Sequence, residues 1–244
     1  VPVSPTTLAP VGADSAETLN ARLAAIAAEF RHAAFSSSLG AEDMVLTDAI
    51  LRARLPIAIF TLDTGRLHRE TLALLDRIRD HYGYAVEVFQ PDPAEVERYV
   101  SAHGLNAFYE SVELRKRCCQ LRKVEPLARA LGGRDAWITG QRRQQSVTRT
   151  HLALREHDRV HHIAKFNPLA DWSATEVWAY IRRHAVPYNS LHDRGYPSIG
   201  CEPCTRAVRP GEDERAGRWW WESRDNKECG LHVAPLNPNE GNRP

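Results

Sequence analysis

The sequence predicts an α/β fold, a twisted parallel sheet with flanking helices, on three observations. Strand-like apolar runs are each followed by an amphipathic stretch of helical length. Small polar turns stand where the first two strands give way to helices. The chain has 244 residues, 43% of them hydrophobic, enough for one buried core.

In chain order, His32 to Ser37 reads as a buried strand, Ala41 to Arg54 as a helix, and Pro56 to Leu62 (PIAIFTL) as a second strand. Leu67 to Tyr82 follows as a helix and Ala85 to Phe89 as a third strand, and two right-handed crossovers place these strands side by side. Pro93 to His103 and Ser111 to Leu131 read as helices, the second ended by Gly132-Gly133, and Ala136 to Thr139 reads as a further strand. Asp171 or Ser173 can cap a helix from Ala174 to His184, ahead of a Pro- and Gly-rich stretch from Pro187 to Cys204. Residues 1–20, with Pro2, Pro5 and Pro10, read as a partly ordered segment. Residues 21–221 read as a single α/β domain and 222–244 as a flexible C-terminal segment.

Lys plus Arg total 32 against 31 for Asp plus Glu, a net charge of +1. That balance argues against a polybasic nucleic-acid or membrane-surface protein, so any bound anion must be met locally. No run approaches the roughly 18 to 20 apolar residues of a membrane helix, and Val1 to Ala13 lacks the basic-then-apolar order of a signal peptide. The expectation is a cytoplasmic protein without nucleic-acid or membrane partners; homo-oligomer formation is left open.

Two turns on one edge of the predicted sheet can bind a ligand. Ser36-Ser37-Ser38-Leu39-Gly40-Ala41-Glu42-Asp43 opens a helix, where backbone N–H groups and three hydroxyls can surround a phosphate or sulfate. Taken alone, the same residues also suit a turn that merely caps a helix. No Gly-Lys-Ser follows, so the turn is no Walker A loop. Leu62-Asp63-Thr64-Gly65 ends the second strand, and the two strand ends can line one crevice fit for a purine nucleotide.

The five cysteines are odd in number and lie at 118, 119, 201, 204 and 229, which is no disulfide framework. Cys118-Cys119 and Cys201-Glu202-Pro203-Cys204 supply four thiolates, the set that a tetrahedral zinc or an iron–sulfur cluster requires. Adjacent cysteines diverge, which suits a larger cluster framework, yet spacing leaves both groups open; a thioredoxin-like redox pair is the weaker choice. Cys229 stands in Lys227-Glu228-Cys229-Gly230-Leu231-His232, where cationic neighbours favour a thiolate. It is either a nucleophile or an incidental surface thiol.

Together these residues resemble the assimilatory adenosine 5′-phosphosulfate (APS) reductases, the thioredoxin-dependent branch of the APS/PAPS reductase family. The resemblance runs from Ser36 to His232 through SSSLGAED, FTLDTG, Cys118-Cys119 with Arg122-Lys123, TGQRRQQSVTR, KFNPLADWS, VPYNSLHDRGYPSIGCEPCTR, GRWWWE and KECGLH. It implies an adenine-nucleotide α-hydrolase-like (Rossmann-like) nucleotide-binding sheet, with a mobile C-terminal segment. It implies further that Cys229 attacks the sulfur of APS, expels AMP and becomes an S-sulfocysteine, from which thioredoxin, as a separate protein and through a transient mixed disulfide, releases sulfite.

By the same resemblance, Lys123, Arg149, Arg215, Arg218 and His232 hold the phosphosulfate. Ser36, Ser37, Ser38, Leu39, Gly40 and Ala41 hold the nucleotide together with Leu62, Asp63, Thr64 and Gly65. Cys118, Cys119, Cys201 and Cys204 carry a [4Fe–4S] cluster whose role is electrostatic and structural. On that role, the cluster is expected to anchor Lys123 and the segment bearing Arg215 and Arg218 around the sulfate. The paired cysteines mark the APS-preferring enzymes of the family and argue against a PAPS reductase. A thiolating ATP pyrophosphatase does not explain KECGLH together with both pairs; from another class, a zinc-stabilised nucleotide-binding module remains the rival.

Overall fold

The computed structural model describes residues 13–145 and 150–223. Six strands form one sheet in the order β3-β2-β1-β4-β6-β5, with β1 Ala33–Ser37, β2 Ala58–Leu62, β3 Glu87–Phe89, β4 Ala136–Ile138, β5 Arg155–Asp158 and β6 Ile163–Phe166. All neighbours are parallel except β5, which runs antiparallel to β6. The chain moves outward through β1, β2 and β3, then crosses back to place β4 on the other side of β1. The carboxyl ends of β1 and β4 therefore flank a topological switch point, where open α/β sheets leave a crevice.

The helices are α1 Ala13–Glu29, α2 Ala41–Arg52, α3 Arg69–Tyr82, α4 Pro93–His103, α5 Val112–Cys119, α6 Glu125–Leu131 and α7 Ala174–His184. Central strands with both faces covered need continuous apolar residues, and Ala33, Ala34, Phe35, Ile59, Phe60 and Trp137 are all buried. Helix α2 is buried from Asp43 through Ile50 because it lies between the sheet and α7. Ser173, rather than Asp171, caps α7: it closes a capping box with Glu176, while Asp171 pairs with Arg22 at 2.7 Å.

Several predicted elements are altered. Residues 13–20, expected in a partly ordered segment, belong to α1, whose Leu19, Leu23 and Ile26 form a buried stripe. Strands β5 and β6 were not foreseen; β5 (REHD) is a charged edge strand without an apolar run. The single helix expected from Ser111 to Leu131 is broken by a π turn over Gln120–Val124, for Pro126 has no N–H to offer the Arg122 carbonyl. The helix expected to Arg54 ends at Arg52, since Arg54 is left-handed (φ 51°). The helix expected from Leu67 starts at Arg69, because Leu67 instead makes a β-bridge with Cys201. No helix among the described residues is long and apolar enough to cross a membrane.

Candidate active site

A cavity of about 220 Å³ lies over the strand ends at the switch point. Its walls bring together Ser36, Ser37, Ser38, Gly40 and Ala41 from the β1–α2 turn, Leu62 and Thr64 after β2, and the cations Lys123, Arg215 and Arg218. Leu39, Asp63 and Gly65 do not line it. The Leu39 side chain enters the core from a left-handed backbone (φ 62°). Asp63 accepts hydrogen bonds from the Gly65 N–H and from Gln90 Nε2, each at 2.9 Å, and Gly65 takes φ 68°. These three shape the turns. Arg149, Cys229 and His232, with the rest of the Lys227–His232 motif, lie outside the described residues.

The serine hydroxyls already have protein partners. Trp137 Nε1 donates to Ser36 Oγ at 2.7 Å, the Leu39 N–H to Ser37 Oγ at 3.2 Å, and Ser38 donates both its N–H (2.5 Å) and its hydroxyl (2.6 Å) to Asp43. Asp43 thus turns inward against the loop, and a β-carbon at Gly140 would overlap its Oδ1. Glu42 turns instead to Arg142, whose Nε lies 2.8 Å from Oε1.

Three wall groups were not singled out from the sequence. Thr139, Gly140 and Gln141 follow β4, and position was the available signal, since they continue a strand toward the same edge. His192 joins from the irregular stretch; burial lowers its pKa, and neither ring nitrogen has a hydrogen-bond partner among the described residues. Glu214 stands beside Arg215, its pKa raised by burial.

A second, smaller cavity is lined by Cys118, Cys119, Cys201 and Cys204 together with Arg66, Arg115, Arg122 and Lys123. The four thiols are free of disulfides and pack with Phe108 and Trp219. Burial pushes Cys118 up and Cys204 up to about 12, outweighing the neighbouring cations. No group of three His, Cys, Asp or Glu side chains among the described residues is placed to hold a metal ion. Four thiols lining one pocket are a donor set that zinc and an iron–sulfur cluster both accept.

The two cavities share Lys123, Cys201 and Trp219 in their walls. Thr64 Oγ1 lies 3.2 Å from Cys201 Sγ, and Arg122 donates to the Thr64 carbonyl at 2.7 Å, so the β2 turn is tied to both cysteine pairs. Trp219 is faced by Arg115 at 4.9 Å and by Arg218 at 4.8 Å. Arg115 also makes a buried bidentate pair with Glu222, near the end of the described residues. A β-carbon at Gly200 would overlap the Arg218 guanidinium, so the glycine before Cys201 lets that cation through.

A family model described as phosphoadenosine phosphosulfate reductase domain matches residues 32–207. A Burkholderia cepacia protein named adenosine 5′-phosphosulfate reductase is 61% identical over 237 residues, covering 97% of this chain and 95% of that protein. One of the same name from Allochromatium vinosum is 57% identical over 218 residues, covering 89% and 85%. Among solved structures, a phosphoadenylyl-sulfate reductase from Candida auris, in a phosphate complex, aligns with a TM-score of 0.67 at 29% identity, over 78% of this chain and 90% of that one. An FMN adenylyltransferase from Candida glabrata, 13% identical with a TM-score of 0.53 over 96% of this chain and 80% of that one, shares the fold.

Proposed function

The chain belongs to the phosphoadenosine phosphosulfate reductase family, and from that premise we propose that it reduces APS to sulfite and AMP in sulfate assimilation. The observation that carries this reading is the cavity at the switch point, which gathers Lys123, Arg215 and Arg218 and shares Lys123 with the cysteine pocket.

The reaction proceeds in two displacements. The Cys229 thiolate attacks the sulfur of APS; an S–S bond forms as the S–O bond to the phosphate breaks, AMP leaves, and Cys229 carries an S-sulfonate. A thioredoxin thiolate then attacks Cys229 Sγ, sulfite departs with the bonding pair, and the second thioredoxin thiol resolves the mixed disulfide. Thioredoxin loses two electrons, and the sulfur passes from the sulfate to the sulfite level. In the first step negative charge grows on the bridging oxygen, where Lys123, Arg215 and Arg218 supply positive donors; Arg149 and His232 join them in this reading by family resemblance.

Cys118, Cys119, Cys201 and Cys204 would hold a [4Fe–4S] cluster, which when bound supplies a rigid scaffold and a local charge. Lys123 faces both cavities, so its placement toward the phosphosulfate depends on the cysteine pocket being held in shape. The paired cysteines favour APS over PAPS as substrate. The test is sulfite and AMP release from each nucleotide in the presence of thioredoxin: turnover of APS well above PAPS is expected, and turnover of neither would overturn the reading.

A further inference from the structure

A turn that opens with Glu42 and Asp43 is a poor place for an anion unless both charges are answered. Asp43 is answered within the turn by Ser38. Glu42 is answered from another part of the chain. Arg142, only 2% exposed, brings Nε and a terminal nitrogen each to 2.8 Å from Glu42 Oε1, and its terminal nitrogen lies 3.7 Å from Glu214 Oε2. The same guanidinium points to the Trp172 carbonyl at 3.5 Å, and the Arg142 N–H donates to Gln145 Oε1 at 3.1 Å. Glu42, Glu214 and Gln145 all line the nucleotide cavity.

We propose that Arg142 is a positioning residue that makes this acidic turn fit for a sulfonucleotide, by neutralising Glu42 and clamping the segment of Arg215 and Arg218 to the start of α2. The inference deepens the reading of the cavity given above and rests on it. Three separate stretches of chain meet at one guanidinium: Arg142 follows β4, Glu42 opens α2, and Glu214 directly precedes Arg215. Without Arg142, two carboxylates would face an arriving phosphosulfate. Glu42 would also be left partly buried without its partner, which costs more than the pair contributes.

The test is calorimetric titration of AMP into wild type, Arg142→Met, Glu42→Gln and the double variant. Arg142→Met should weaken AMP binding at least about tenfold, with the deficit shrinking as salt screens the exposed charges. The double variant, which removes both charges, should recover to within about threefold of wild type. Recovery is the decisive readout, since a packing defect at 142 would persist in the double variant. A folded double variant that binds as weakly as Arg142→Met would overturn the proposal, as would Arg142→Met binding like wild type. Should Arg142→Met fail to fold, Arg142→Lys, which keeps the charge, should bind within about threefold of wild type, and a tenfold loss in folded Arg142→Lys would contradict the role. Wild type that binds no AMP would instead count against the nucleotide reading of the cavity.

Discussion

The two cavities are built by opposite means. The nucleotide cavity rests on strand ends and tight turns, with the serine hydroxyls and Asp43 satisfied by the protein itself. The cysteine pocket rests on a helix, a π turn and an irregular stretch about 80 residues further on. One is preorganised by the sheet; the other gathers four thiols that only a bound group would fully use. They share a wall of Lys123, Cys201 and Trp219, so in the proposed reading the second supports the first.

The largest effect is expected at the proposed nucleophile. Cys229→Ser should lower APS turnover by about 10³-fold or more, measured as sulfite release, while AMP binding persists. The next variant tests whether the wall is shared in function. Cys204 lines only the cysteine pocket, so Cys204→Ser should lose bound iron and, through Lys123, weaken AMP binding about tenfold, near 1.4 kcal/mol. Iron loss with unchanged AMP affinity would separate the two cavities. The converse is Gly140→Ala, which strikes only the nucleotide side. Displacing Asp43 should cost about 1–3 kcal/mol in denaturant unfolding, with iron content unchanged.

The smallest effect lies away from both. Hydrogen bonds from Arg22 hold the Asp171 carboxyl below the usual carboxylate range. A pKa depressed on folding stabilises above the unfolded value, about 3.9, and that contribution fades as pH falls through the folded one. The Tm difference between wild type and Arg22→Ala should therefore be steady near neutrality and close as the pH drops below about 4, with AMP affinity unaffected.

How much of this was legible in the sequence follows the same division. The β1 and β2 turns were readable because strand, turn and helix are consecutive, and α4 and α7 carry their caps in sequence, at Asp92 and Ser173. Helix α1 was hidden by its many alanines, which blur the apolar stripe of Leu19, Leu23 and Ile26. The β5–β6 hairpin was hidden because REHD carries no apolar period. The cysteine pairs were legible as a donor set, but their junction with the nucleotide turn was not. It depends on the Leu67–Cys201 bridge and the Thr64–Cys201 contact, which join residues more than a hundred positions apart. The role of Arg142 is illegible for a like reason, since only the fold brings Glu42 and Glu214 against it.

The most direct test of the chemistry is intact mass spectrometry of protein purified without air and incubated with APS but no reductant. Wild type should gain the mass of one SO₃ group, released on adding thioredoxin, while Cys229→Ser gains nothing. An iron-replete wild-type protein that gains no mass, or a Cys229→Ser protein that gains it equally, would contradict nucleophilic attack by Cys229 on the sulfur of APS.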